Sequence, residues 1–346
     1  PEAHGGSVSA VSRGWMLVLV GCTAPGHKSE DSAGVPVDND PVTVVTFNTG
    51  TTPAMGPMGG DEDGYGPAEA AISDEWYGDG LAWLPAVEAA RVWLDGVRPD
   101  VLGVQEMFWS GTCGDIPTEA HTGFYCEGWS EGDNTVIQAI LDADYQIACH
   151  QGKPDKCVAI HRDLGTLEGC ADDLCMDGLQ GETVDGCGQG GRVGRGVVLR
   201  PDGRRLTLVH VHGSSGWAPE DQACRVAQIA QVFDDLGGDG PAAQGDDVLI
   251  LGDLNTDPGR ATASDESAAR WAEAVGPGQA FQWITDVGPD APASYQGIAD
   301  IDHVASNARE GDCWIAGIAG QPEVYDVAYF DHRPVVCATT LRPVLQ

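Results

Sequence analysis

Six short polar motifs hold the side chains that can do acid, base or cation chemistry. They are Asn48, Gln105-Glu106, His212 within His-Val-His-Gly, Gly252-Asp253-Leu254-Asn255, Asp302-His303 and Asp331-His332. Taken singly, each has a plain structural explanation: an Asn after a strand starts a turn, an acid at a strand end is solvated, and Gly-Asp-Leu-Asn can be an Asx turn. Taken together they supply carboxylates, amides and imidazoles, the groups that bind a hard cation and move protons near neutral pH.

The elements that must position these groups are read from periodicity. Apolar runs predict strands at 42–47, 101–104, 157–160, 196–199, 206–211, 248–251, 301–305 and 335–339. Leu84, Val87, Ala90, Leu94 and Val97 form one stripe of a helix over about 81–97, which Pro99 stops. A second helix starts at Pro219, a favoured first position, with Glu220 and Asp221 complementing its dipole. Its stripe is Val226, Ile229, Phe233 and Leu236. Strands alternating with amphipathic helices predict a layered α/β protein, with one folded domain over 41–346 and no internal repeat. The motifs fall at predicted strand ends, where open α/β architectures present their ligands.

The order of the motifs is more specific than their content. An Asn follows the first strand, Gln-Glu the second, a His ends a middle strand, Gly-Asp-x-Asn ends a later one, and an inner Asp-His precedes a terminal Asp-His before Arg-Pro-Val. This order resembles the endonuclease/exonuclease/phosphatase superfamily, which includes pancreatic-type deoxyribonucleases, abasic-site endonucleases, bacterial sphingomyelinases and inositol-polyphosphate phosphatases. The resemblance spans about 42–341. It implies a four-layer α/β/β/α sandwich of two packed, mixed, mainly antiparallel sheets, and a metal-dependent phosphoesterase.

It also implies roles. A phosphodiester is an anion that hydroxide attacks reluctantly, so a hard cation such as Mg²⁺ or Mn²⁺ is required to neutralise charge and stabilise the leaving oxygen. Glu106 is expected as its first ligand, with Asn48 and Asp331 completing or orienting that side. Asp253 is expected to orient or deprotonate the attacking water and Asn255 to donate to a phosphoryl oxygen. His332 would contact the phosphate and Asp302 would fix its tautomer. His212 would be a second phosphate contact or the acid for the leaving group. Its neighbour His210 lies two residues away on the same strand face, so the choice between them rests on the resemblance alone. Arg225 and Gln228 match an R-x-x-Q helix after that loop and are read as packing. Two departures stand out. Phe330 occupies the place where Ser usually precedes the last Asp-His, and Thr-Asp-Pro follows Asn255 without the basic residue of phosphoinositide phosphatases.

Composition bears on the setting. With 53 acidic against 18 basic residues the net charge is −35, so phosphate must be captured locally against long-range repulsion. Eleven cysteines suit an oxidising compartment. Leu19-Val20-Gly21-Cys22 resembles a bacterial lipobox, giving a signal segment over 1–22 and a polar tether over 23–40. The chain is thus expected outside the cytoplasm, secreted or attached to a membrane only through a lipid on Cys22. The other ten cysteines can form five disulfides, with Cys113–Cys126 and Cys170–Cys175 as short-range candidates. The Cys-, Gly- and Asp-rich segment 161–195 reads as a disulfide-stapled surface insertion.

Substrate choice is expected in the loop 49–80, which leaves the first strand beside the site. Trp76, Tyr65 and two methionines there can stack a base or touch a lipid, and Asp61, Glu62 and Asp63 are candidates for a structural Ca²⁺. Arg192, Arg195, Arg200, Arg204 and Arg205 form the one basic cluster, as phosphate contacts or as solvated strand ends. The leading expectation is a monomeric extracellular nuclease-type phosphodiesterase. The alternatives are a sphingomyelinase- or phospholipase C-like enzyme acting on a phospholipid head group, and a non-catalytic surface binding module.

Overall fold

Thirteen strands and five α-helices carry the described part of the chain, which in this computed structural model comprises residues 40–51, 63–325 and 329–343. The lipobox at Cys22, the tether over 23–39 and the acidic pair Asp61-Glu62 lie outside the described residues. The strands are β1 (Val42–Asn48), β2 (Val101–Gln105), β3 (Tyr145–His150), β4 (Lys153–His161), β5 (Thr166–Leu167), β6 (Leu174–Leu179), β7 (Val193–Leu199), β8 (Arg205–His212), β9 (Val248–Asp253), β10 (Gln282–Trp283), β11 (Asp302–Ser306), β12 (Arg309–Ile315) and β13 (Val335–Leu341). The helices are α1 (Pro67–Ile72), α2 (Leu84–Val97), α3 (Val136–Ile140), α4 (Pro219–Phe233) and α5 (Glu266–Ala274).

The strands form two mixed sheets, ordered β12-β13-β1-β2-β4-β3-β6 and β10-β11-β9-β8-β7-β5. Pairing is antiparallel except for β1 with β2, β3 with β6 and β8 with β9. Successive side chains of a strand face opposite ways, so a strand buried on both faces feeds two cores. Val44 of β1 joins Leu208, Leu249 and Leu251 between the sheets, while Val45 joins Ala86, Ala90 and Leu94 under α2. On the far side, Val209, Val211 and Ile250 pack with Ile229 and Val232 of α4 and Trp271 of α5. Helix layer, sheet, sheet and helix layer follow in that order, which is the α/β/β/α sandwich.

Two helical stripes differ from their expected form. Leu84 starts α2 and is exposed, while Ala86 and Trp93 are buried beside Val87, Ala90 and Leu94. In α4 the inward face is rotated, so Arg225, Gln228, Ile229 and Val232 are buried and Val226 and Phe233 only half-buried. The rotation follows from hydrogen bonding, because Arg225 and Gln228 serve buried partners described below. The segment 161–195 is also more than a surface insertion. Its β5 extends the second sheet and its β6 extends the first.

All ten described cysteines are paired, as Cys113–Cys126, Cys149–Cys157, Cys170–Cys175, Cys187–Cys224 and Cys313–Cys337. Among the described residues no helix is long and apolar enough to cross a membrane.

Candidate active site

Strand register brings the motifs together. In the second sheet His212 of β8 lies opposite Asp253 of β9, which lies opposite Asp302 of β11, so three sequence-distant residues form one row at the sheet end. In the first sheet Asn48 of β1 lies opposite Gln105 of β2, with Glu106 next in the chain. The last motif is tied in by backbone bonds, Asp331 N to Gly50 O at 3.1 Å and Arg333 N to Ser294 O at 2.8 Å. Glu106 and Asn255 both hold left-handed backbone conformations, φ 57° and 51°, uncommon for residues with a side chain. Such strain, on the order of 1–3 kcal/mol, persists where surrounding structure fixes it and clusters at working sites.

One end of the site is made of oxygens. A methyl group built on Gly50 would lie 2.5 Å from Glu106 Oε2 and 3.1 Å from both Asn48 Oδ1 and Asp331 Oδ1. Glycine therefore leaves open a point that three oxygen donors surround. Asp331 Oδ1 is buried without a hydrogen-bond partner, an arrangement that is costly unless something satisfies it. Two carboxylates and an amide oxygen are the donor set of a hard divalent cation, so these residues fit one. Asp253, Asp302 and His332 also offer ligand atoms within 4.8 Å of one another. Because His332 Nδ1 and Asp302 Oδ2 are already joined at 2.7 Å, that trio is read as a hydrogen-bonded acid–base group rather than a cation cage.

Asp253 links the two ends. Its Oδ2 accepts from Asn48 Nδ2 and Asn255 Nδ2, both at 3.0 Å, and its Oδ1 accepts from Asn255 N at 2.7 Å. Asn255 also donates to Gly213 O at 3.0 Å. The left-handed turn folds its amide back onto Asp253, whereas the sequence pointed it at a phosphoryl oxygen. His332 Nε2 stands 3.9 Å from Asp253 Oδ2, and His212 Nε2 stands 3.2 Å from Glu106 Oε1 and 3.7 Å from Asp253 Oδ2. Both ring nitrogens of buried His212 lack hydrogen-bond partners.

Electrostatics separates the two histidines. Burial opposes a charge on His332, but Asp302, Asp253 and Asp331 outweigh it and raise the ring to about 10, so it is an imidazolium at neutral pH. Burial, aided by Lys156 and opposed by Glu106, lowers His212 to about 4, so it is neutral. Burial also raises Asp253 to about 7 and Asp331 to about 6.

The neighbours of the motif histidines have other partners. His210 is buried deeper between the sheets, within 2.8 Å of His150 and in a close contact with Gln105. His303 faces the opposite side of β11 from Asp302 and meets Thr285 Oγ1 and Asp300 O, each at 3.0 Å. Arg225 donates to Ser214 O at 2.8 Å, Gly216 O at 2.7 Å and Asp265 Oδ2 at 3.0 Å, while Gln228 holds both the amide and the hydroxyl of Ser214. They brace the loop that leaves His212.

The loop 49–80 does border the site, through Gly50, Trp76 and Asp79. Tyr65 cannot stack a ligand, because it is buried against Trp83 and Tyr329. Asp63 bonds to Trp83 Nε1 at 3.1 Å and to the Tyr65 amide at 3.0 Å, a structural role. The arginine cluster divides: Arg200 and Arg204 pair with Asp40 and Arg205 with Glu168, while Arg192 lies at the other end of β7 beside the site. Sequence reasoning missed Gly50, Ser294, whose Oγ accepts from Asp302 N at 3.1 Å, and Tyr295, whose ring packs 4.8 Å from that of His332.

No family model matches the chain, and no curated protein sequence matches it. Among solved structures it is similar to D. rerio TDP2 humanized by 14 mutations, at 13% identity and TM-score 0.48, covering 87% of this chain and 99% of that one. It is similar to the human nocturnin catalytic domain with bound sulfate, at 14% identity and TM-score 0.47, covering 88% and 96%. A third likeness is the AP endonuclease LMAP from Leishmania major, at 14% identity and TM-score 0.45, covering 88% of each chain. At these values the likenesses assign neither substrate nor mechanism.

Proposed function

We propose that this chain is a divalent-cation-dependent phosphodiesterase of the endonuclease/exonuclease/phosphatase type, acting on nucleic acid outside the cytoplasm. The observation that carries the reading is the convergence of Asn48, Glu106 and Asp331 around the open point at Gly50, with Asp253, His212 and His332 within 4 Å contacts of that group or of one another.

Asn48, Glu106 and Asp331 would hold Mg²⁺ or Mn²⁺, which when bound neutralises phosphate charge and stabilises the leaving oxygen. Asp253, held on three sides by Asn48 and Asn255, is fixed to orient a water and accept its proton. His332 presents a positive Nε2–H toward the same space, because its Nδ1–H is committed to Asp302. Such a fixed positive donor would stabilise a phosphoryl oxygen as it gains charge. His212, neutral and with its Nε2 3.2 Å from Glu106 Oε1, would supply the second contact or the proton for the leaving group.

The five disulfides support the extracytoplasmic setting. Attachment through Cys22 and a monomeric state belong to the same proposal. A phospholipid head group is the second substrate class. Its support is Trp217 and Ile298, exposed by 68% and 70%. Single exposed apolar side chains are normal on a soluble surface, so nucleic acid leads. Turnover of DNA, RNA, sphingomyelin vesicles and a generic diester, each with and without Mg²⁺, tests the reading: hydrolysis of none would refute it, and vesicles alone would move it to lipid.

A further inference from the structure

A cleft of about 510 Å³ adjoins the site, with Glu106 and His212 in its lining. Lys153, Lys156 and Arg192 line it, and so do Trp76 and Trp109. The chain has three lysines in all, so two of them share one cleft. The start of β4 is held beside the Glu106 turn by the bond from Met107 N to Asp155 O at 3.0 Å, which sets both lysines next to the metal ligands.

The pairing of these cations is unusual for this protein. Among the described residues, every Lys and Arg except Lys153, Arg192, Arg195 and Arg342 is in an ion pair with a carboxylate. Acidic residues outnumber basic ones by 53 to 18, so an unpaired cation is the exception, and two of the four face this cleft. Lys156 is 2% exposed and is paired with Asp155. Arg192 donates to Gly213 O at 3.2 Å, but its Nε is buried without a partner. That bond uses Nη1 alone and no carboxylate among the described residues is paired with Arg192, so its guanidinium keeps donors for an acceptor in the cleft. Asp79 and Asp155 also line the cleft; Asp155 is committed to Lys156, and Asp79 lies within the field of Glu106 and Asp331.

We propose that this cleft binds a second phosphate of a nucleotide chain, adjacent to the diester that is cut, through Lys153 and Arg192 with Lys156 behind them, and that Trp76 and Trp109 flank the attached base. The proposal rests on the phosphodiesterase reading above and names its substrate: a chain carrying a further phosphate rather than an isolated diester. Guanidinium and ammonium groups supply the phosphate contacts, and indole faces accept any base.

The test separates the two readings. Calorimetric titration of the full chain in chelator, with thymidine dinucleotide bearing a 5′-phosphate and with the same dinucleotide lacking it, reads the cleft without turnover. The phosphorylated form is expected to bind about tenfold tighter, as two charge-assisted contacts in a wet cleft allow. That ratio should fall to near unity in Lys153→Gln/Arg192→Gln and decline partway in Lys153→Gln alone, which guards against a double variant that fails to fold. Equal binding of the two ligands by the wild type, or an undiminished ratio in Lys153→Gln and the folded double variant, overturns the proposal. Cleavage of bis(p-nitrophenyl) phosphate with Mg²⁺ or Mn²⁺ tests the enzyme reading separately: failure there with the binding ratio intact would sink the catalytic assignment and leave the phosphate site standing.

Discussion

His332 Nδ1 and Asp302 Oδ2, on residues 30 apart in the chain, meet at 2.7 Å beneath the site, and the other face of the imidazole packs with Tyr295. The carboxylate fixes which ring nitrogen is left to face the site and favours the charged ring. Asp302→Asn keeps the shape but removes that charge. We expect kcat to fall about 10²- to 10⁴-fold, with KM within about threefold of wild type. Steady-state kinetics on a simple diester checks this, and a loss confined to KM would contradict the orienting role.

Gly50→Ala tests the oxygen cradle. Its new methyl group would sit 2.5 Å from Glu106 Oε2, in the space that the three oxygens surround. The Mg²⁺ concentration for half-maximal activity should rise at least about tenfold, since one distorted ligand set loses roughly a factor of ten or more in affinity. Thermal unfolding in chelator should change little by comparison. An unaltered cation titration in a folded variant would place the cation elsewhere.

Stability should show an acid limit set by Asp40. Burial pushes its carboxyl up, but Arg309, at 2.7 Å, and Arg200 outweigh burial and hold it below its ordinary value. A folded-state pKa below the unfolded value of about 3.9 stabilises the fold above that pH, and the contribution is lost as pH falls through the folded value. Asp40→Asn is therefore expected to cost about 3 kcal/mol near pH 7. Denaturant unfolding should show the gap closing below about pH 4, and a gap that widened toward acid would reverse the sign.

The Cys187–Cys224 bridge ties the segment before β7 to α4 across 37 residues. Replacing both cysteines by Ser should cost about 3 kcal/mol, chiefly through the entropy of the unfolded chain. Chemical denaturation measures this directly. A cost near zero would mean that the segment is held by its strand pairing alone.

Much of this arrangement was legible in the residues. The strands carrying the motifs are apolar on both faces because each lies between two cores, and unbroken runs such as Val248–Leu251 announce that burial. β12 did not, because Arg309, Glu310, Gly311 and Asp312 make it polar at the sheet edge. β6 was hidden among cysteines and glycines, and α5 is only nine residues long with an apolar face of little more than Ala268 and Trp271. The catalytic candidates were found by order alone, since no single motif is distinctive. Gly50 was not found, because its contribution is the side chain it lacks. The lysines of β4 were visible only as a scarcity in the composition, whose meaning depends on what lies across the cleft.

The most direct measurement is nicking of supercoiled plasmid DNA by the purified chain, run with Mg²⁺ or Mn²⁺, with chelator, and with Asp253→Ala and His332→Ala in parallel. Nicking should occur with either cation, stop with chelator, and fall by about 10³-fold or more in both variants while their unfolding transitions remain cooperative. Nicking that survives chelation, or that persists in folded Asp253→Ala, would contradict the account.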